Sequence, residues 1–388
     1  MPRFSGIAFA LGRWEARRDT PCRARPSTKD LALGKLCAFA CVLCDSFAFC
    51  HYTRHSVKEI LRLHSALPHP SNRVESSVHA RFKEKIAFGR TALVALCLGS
   101  NLGFGQDLAP RAYVITPTGA NAITVAYSWN DGAVFVDPLI QIQNLKVQFQ
   151  TESISYYSSY NLWGRSSNIT LILPYALGNA QGTLAGSRNQ IYRSGMADSR
   201  IRFAVNLKGG PARSADDFTS WHEKGLIGVS ATALIPTGQY DPQKLINIGT
   251  NRWGLKPEIG ISRRWQRWVV DWYAGGWFFT QNSSYYPGSS LRSQRPIGAG
   301  EAHFTYYAKP RLWASLDANY WIGGRSTING QLKADEQRNS RVGLTVAIPI
   351  SRNQSIKLSY ATGAYVTIGG NYRTLSAAWQ YAWLGKHE

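Results

Sequence analysis

A chain of 388 residues that is 44% hydrophobic and 17% charged is long enough for one large domain or two ordinary ones, and too rich in apolar residues to be disordered throughout. Its 44 Lys+Arg against 23 Asp+Glu give a formal charge of +21, which would suggest a nucleic-acid partner if the basic residues belonged to one folded unit. They do not. All six cysteines lie at or before Cys97 and five of the eight histidines before residue 80, whereas twelve of the thirteen tryptophans follow residue 105.

Residues 1–80 show no sustained period of 2 or 3.6 and read as a leader outside the folded protein, either disordered or the product of a translation start placed too far upstream. Met196 is the first methionine after Met1, so a start at Val74 or Val78 from an alternative codon is expected; Met1 at the end of the unprocessed precursor would refute it. The apolar stretch Leu36 to Cys44 is nine residues, against roughly 18 for a spanning helix. Its Cys37, Cys41 and Cys44 have the C-x3-C-x2-C spacing of a radical-enzyme iron-sulfur cluster. Such a cluster needs a built cavity, and nothing downstream alternates helix and strand to supply one, so no cofactor is expected.

Residues 81–105 read as a signal peptide: Arg81, Lys83, Lys85 and Arg90, then an apolar core from Thr91 to Gly99, then Gly103-Phe104-Gly105 at the cleavage point. Leu96 before Cys97 disfavours a lipoprotein. Export suits a mature part without cysteine. After residue 105 there are 28 Lys+Arg and 16 Asp+Glu, or +12, and lipopolysaccharide and outer-membrane lipid are the expected partners of an exported basic protein, not nucleic acid.

Residues 106–121, apolar and carrying Pro110 and Pro117, are expected to form a periplasmic or plug segment at the mouth of the strand-forming region, residues 122–388. In that region the chain is a series of short alternating runs. Ile201, Phe203, Val205 and Leu207 fall on one face, with Arg200, Arg202, Ala204 and Asn206 on the other, which is strand periodicity. Continuing gives twelve strands, near 122–129, 145–159, 166–176, 199–208, 224–235, 254–262, 267–279, 298–307, 311–322, 339–349, 355–363 and 371–383. Connections at 160–165, 263–266, 308–310 and 350–354 are short, and those at 177–198, 236–253, 280–297 and 323–338 are long. Residues 209–223 break the alternation, being long where a short turn is due. Pro174 and Pro257 fall within strands, where they should mark bulges or strand ends.

An even number of strands with short turns at one end and long loops at the other predicts an all-β, closed, antiparallel transmembrane barrel; closure satisfies every backbone group in lipid. Trp129, Trp163, Trp268, Tyr320 and Trp383 suit interfacial girdles. A soluble β-sandwich would permit the same alternation, but the signal peptide and loop asymmetry favour the barrel.

Gln106-Asp107-Leu108-Ala109-Pro110-Arg111-Ala112-Tyr113, Pro236-Thr237-Gly238-Gln239-Tyr240-Asp241-Pro242, Asn251-Arg252-Trp253 with Lys256-Pro257-Glu258, and Trp313-Ala314-Ser315-Leu316-Asp317 resemble the family named "putative MetA-pathway of phenol degradation". Gly323-Gly324-Arg325 and Gln337-Arg338-Asn339 extend the resemblance over the mature chain. It implies an outer-membrane channel for passive uptake of small aromatic or hydrophobic molecules. Residues 1–80 have no place in that pattern, and the chain continues five residues past Trp383.

With apolar faces toward lipid, the expected lumen lining is Lys146, Glu152, Arg200, Arg202, Lys256, Glu258, Asp271, Glu301, His303, Asp317, Arg341 and Lys357. Six are basic and five acidic, so they form either a mixed-charge constriction or salt bridges that brace the barrel. The alternatives to transport are a surface-binding or structural barrel and, from another class, an outer-membrane hydrolase using His303 with Glu301 or Asp317. No H-x-S-N-G-like stretch accompanies His303, so no catalytic residue is expected. His222, His303 and His387 are isolated, so no metal site is expected either.

Overall fold

The computed structural model describes residues 108–135, 142–184, 186–218 and 220–385. The leader, the cysteine cluster, the signal peptide and residues 106, 107 and 386–388 lie outside the described residues. The structure is a β-barrel formed by β1 (Ala120–Phe135), β2 (Ile142–Leu162), β3 (Arg165–Leu184), β5 (Ser199–Lys208), β6 (Gly225–Ile235), β7 (Gly254–Trp265), β8 (Trp268–Phe279), β11 (Ile297–Lys309), β12 (Leu312–Gly323), β15 (Gln337–Pro349), β16 (Gln354–Tyr365) and β17 (Gly369–Leu384). β4 (Ser187–Met196) is the thirteenth strand of the sheet and pairs with β3 alone. The other twelve close on themselves antiparallel, because β1 pairs with β17 from Ala120↔Leu384 to Phe135↔Gly369 and with β2 on its other side. These are the twelve expected strands.

The alternating pattern dictates the wall. On β5, Arg200 is 7% exposed while Ile201, Phe203 and Leu207 on the opposite face are about 40% exposed. Together with Val125, Ile169, Ile259, Phe304, Leu344 and Leu358 these outward side chains make the apolar band that lipid covers. Trp163, Trp265 and Trp268 are exposed at the short-turn end, and Trp253 and Tyr320 toward the long-loop end, as girdles require. Trp277, Trp313 and Trp321 do not belong to a girdle: all three are buried on the inner face.

Turns at the short end are tight. Trp163 and Gly164 have φ of 51° and 78°, the pair of left-handed residues that a two-residue hairpin needs to follow the strand twist. Gln266 (φ 51°) and Arg311 (φ 68°) serve the β7–β8 and β11–β12 turns.

At the other end, the connection expected over 177–198 is not a loop. β3 continues to Leu184 and folds back as β4, so this hairpin stands above the wall. Pro174 sits where β3 exchanges its partner β5 for β4, and Pro257 where the β7–β8 ladder skips Lys256 and Pro257, so neither costs a needed N–H bond. The loops at 280–297 and 323–338 carry β9 (Asn282–Tyr285), β10 (Ser290–Gln294), β13 (Ser326–Ile328) and β14 (Gln331–Leu332), a separate small sheet in the order β14-β13-β10-β9. Strands this short are beneath what alternation can reveal.

Residues 209–224 are long because they form a seat. They contain α1 (Ala215–Phe218), and Phe218, Leu226 and Trp221 pack around Ile115 of the N-terminal segment.

Candidate functional site

Residues 108–119 run inside the barrel. The segment enters against the wall through Ala120 N and Pro117 O, both bonded to Ser159 Oγ, and through Thr118 N, which donates to Arg213 O at 2.8 Å. Ile115 is fully buried, and Tyr113 and Arg111 are each 2% exposed. Tyr113 lies on two glycines that face inward and pair with each other, Gly228 on β6 and Gly260 on β7. A Cβ on either would occupy the space of its ring, so this wall is cut to the shape of the plug.

Arg111 pins the segment. Its Nη1 donates to Ser262 Oγ (2.9 Å) and Asp271 Oδ1 (3.1 Å), its Nε to Tyr307 Oη (3.0 Å), and its Nη2 pairs with Glu223. Burial opposes the charge, and Glu223, Tyr307 and Asp271 more than restore it, so the guanidinium pKa lies well above its ordinary value. Two residues on, Tyr113 Oη bonds Ser230 Oγ and Glu258 Oε1, both at 2.9 Å; burial first and Glu258 second raise its pKa, so it stays protonated and donates to the carboxylate. The ring of Tyr113 receives Arg202 at 4.9 Å.

An ionic chain continues along the wall. Lys256 Nζ bridges Glu258 (2.7 Å) and Glu301 (3.2 Å). His303 Nδ1 donates to Asp317 at 2.8 Å and its other nitrogen faces Glu301 at 3.5 Å. Asp317 also accepts from Ser315 and Thr345, both at 2.6 Å. Further round, Arg341 donates to Thr374 at 2.7 Å and Thr374 to Asn130 at 2.8 Å.

Arg200, Arg202, Lys256, Glu258, Asp271, Glu301, His303, Asp317, Arg341 and Lys357 thus share the inner face, and Lys256, Glu258, Glu301, His303 and Asp317 come together in one chain of contacts. Lys146 and Glu152 do not: both are exposed on the outer face of β2. β2 holds two apolar sets of opposite parity, Val147 with Phe149 and Ile154 with Tyr156, and the first misled the assignment. Because β2 has 21 residues, about twice what a tilted spanning strand needs, its lower half meets lipid with Ile154 outward, while Val147 and Phe149 turn inward at the long-loop end.

Sequence reasoning missed Arg111, Tyr113, Glu223, Ser262, Tyr273 and Tyr307 as inner residues. For the first two a signal existed, since they close the most characteristic N-terminal stretch. For Glu223 the signal was the anomalous length of residues 209–223.

Beside Leu108 the space left in the lumen is narrow, whereas a cavity of about 600 Å³ opens at the short-turn end, lined by Val114 of the plug with Trp221, Glu223, Arg264, Tyr307 and Arg311. A cavity of about 30 Å³ lies between Leu108 of the plug and Asn130, Phe149, Thr151, Arg341 and Tyr372, and a second of about 20 Å³ between Leu108 and Ser153, Lys357, Ser376 and Ala378. Each holds little more than a water. Toward the long loops a third, of about 240 Å³, opens against β2, β3, β4 and residues 246–248. Both ring nitrogens of His303 face carboxylates, Asp317 at 2.8 Å and Glu301 at 3.5 Å. Among the described residues no group of three or more His, Cys, Asp or Glu could hold a metal ion.

The family model described as "Putative MetA-pathway of phenol degradation" matches residues 130–373. Among solved structures, an outer-membrane channel from Pseudomonas putida F1 is 16% identical over 71% of this chain and 100% of its own, with a TM-score of 0.60. The β domain of the Bordetella autotransporter BrkA (10% identity, 68% and 100% covered) gives 0.39, and a Pseudomonas aeruginosa FadL homologue (8%, 75% and 98%) gives 0.34. No curated protein matches by sequence.

Proposed function

The chain belongs to this phenol-degradation family, and from that premise we propose that it is an outer-membrane channel for passive uptake of small aromatic or hydrophobic molecules. One observation carries the reading: residues 108–119 occupy the lumen and leave only small cavities beside Leu108 between the plug and β1, β2, β16 and β17. An open twelve-stranded barrel would pass any solute below its width, whereas a plugged one passes only what the residual path admits. That path has Phe149 and Tyr372, ring edge to ring face at 5.2 Å, at one point and the Leu108 side chain at another. Small apolar solutes that make such side chains yield are favoured over strongly hydrated sugars, which would lose water without gaining partners.

Transport follows the solute's gradient. The ten inward ionisable residues act chiefly as the brace of plug and wall, since the acids among them are matched by Arg111, Lys256 and His303. Outer-membrane lipid covers the apolar band, and lipopolysaccharide phosphates meet exposed cations near the long-loop end such as Lys146 and Arg188. The test is proteoliposome swelling, comparing phenol-like aromatics with sugars and amino acids of similar size. Faster entry of the aromatics supports the reading; equal entry of all solutes makes the protein a general porin, and no entry through a folded barrel overturns transport.

A further inference from the structure

The cavity at the long-loop end has the chemistry of a binding site. It is lined by Val147 and Phe149 from β2, Ile191 from β4, and Ile246 and Ile248 from the loop that folds over it. At about 240 Å³ it exceeds the roughly 150 Å³ at which an apolar protein cavity already accepts benzene, and it falls short of the 300 Å³ or more typical for drug-sized ligands. A single aromatic ring fits that volume.

Its floor holds a buried polar group. Thr151 is 4% exposed, and its hydroxyl, at the boundary of this cavity and the 30 Å³ one below, has no hydrogen-bond partner. A buried hydroxyl left unpaired in apolar surroundings is destabilising, and such groups are few in folded proteins. Arg193 and Asn247, the polar side chains near the rim, are engaged: Arg193 Nε donates to Ile246 O (3.0 Å), and Asn247 Nδ2 donates to Asp241 O (3.0 Å) and Lys244 O (2.7 Å). They hold the covering loop, and Asn179, the other polar side chain of the lining, is exposed on β3, which leaves Thr151 as the buried polar contact inside. We propose that this cavity is a capture site for a single neutral hydroxylated aromatic ring of the phenol class, the ring packing on Phe149, Ile191 and Ile248 and its hydroxyl exchanging a hydrogen bond with Thr151.

The position gives the site a role. Phe149 and Thr151 also line the next cavity, and Thr151 lines the third as well, with Leu108, Ser128, Thr345 and Ser359 shared between those two. A ring held at Thr151 therefore waits where the three cavities adjoin, against the Phe149–Tyr372 contact it must part. The role rests on the channel reading above; the site itself does not.

The experiment is a fluorine NMR titration of the full chain in lipid nanodiscs with para-fluorophenol and fluorobenzene, with empty nanodiscs as the partition reference. Saturable binding is expected for both, with para-fluorophenol tighter by roughly five- to tenfold, the worth of one hydrogen bond. Thr151→Val should bring para-fluorophenol down to the level of fluorobenzene and leave fluorobenzene unchanged. Ile248→Trp, a loop substitution that fills the cavity, should abolish saturable binding of both while the barrel remains folded by its heat-modifiable gel migration. Partition alone in the wild type, undiminished para-fluorophenol binding in Thr151→Val, or undiminished binding in a folded Ile248→Trp barrel overturns the site. Phenol flux without saturable binding refutes the site and leaves the channel; saturable binding without flux upholds the site and refutes the channel.

Discussion

The two sides of the lumen are built from different chemistry. From β6 through β8, β11 and β12 the inner face carries Lys256, Glu258, Asp271, Glu301, His303 and Asp317, and Arg111 and Tyr113 of the plug are fastened to it. Across the barrel, on β1, β2, β16 and β17, the inner face around the two small cavities is mostly neutral, with the short side chains Ser128, Thr151, Ser153, Ser359, Ser376 and Ala378 beside Phe149, Tyr372 and Lys357. Charges need partners at close range and so draw the plug against their own wall, whereas small neutral side chains make no such demand. One wall therefore holds Arg111 and Tyr113, and the other leaves small cavities beside Leu108.

The substitution expected to do most harm is Arg111→Ala, which takes the buried cation from Asp271 and leaves Glu223 with the partly exposed Arg264 at 3.6 Å. A loss of about 3–5 kcal/mol is expected, measured by denaturant unfolding of the refolded barrel, together with a rise in single-channel conductance as the plug leaves its wall. Gly260→Val drives a side chain into the Tyr113 ring from the same wall. It should cost about 1–3 kcal/mol and make the N-terminal segment sensitive to protease at residue 111, where the wild type is resistant.

On the open wall the order of effects reverses. Leu108→Ala removes the plug side chain that borders both small cavities, so it should cost less than about 2 kcal/mol because space already lies beside it, yet speed phenol entry in swelling assays by several fold. If Leu108→Ala instead destabilised the barrel as much as Arg111→Ala, the division into a fastened and an open side would be lost. The smallest effect belongs to Lys146→Ala and Glu152→Ala, whose side chains are exposed on the outer face. Both should stay within about 0.5 kcal/mol of the wild type and leave flux unchanged.

Alternation with period two was enough to find each of the twelve barrel strands and to place Arg200, Arg202, Asp271, Glu301, His303, Asp317 and Arg341 on the inner face, because in a wall with lipid outside, parity is orientation. It failed on β2, where two apolar parities occur in one strand and only the membrane's thickness, acting on a strand twice as long as needed, selects between them. It also could not see that β3 and β4 continue above the wall, since their alternation carries no lipid-facing constraint there.

The sequence by itself determined the class of object: an exported, all-β chain whose apolar residues lie on one face of each strand, with a segment ahead of the first strand available to enter it. Tertiary structure alone decided what that object encloses. Arg111 is separated by 160 residues from Asp271 and by 112 from Glu223, and no local pattern announces that the three meet. Nor does any announce that Thr151 lies unpaired beneath Ile248, 97 positions on, for strand periodicity fixes which way a side chain points, while barrel closure fixes what it finds there.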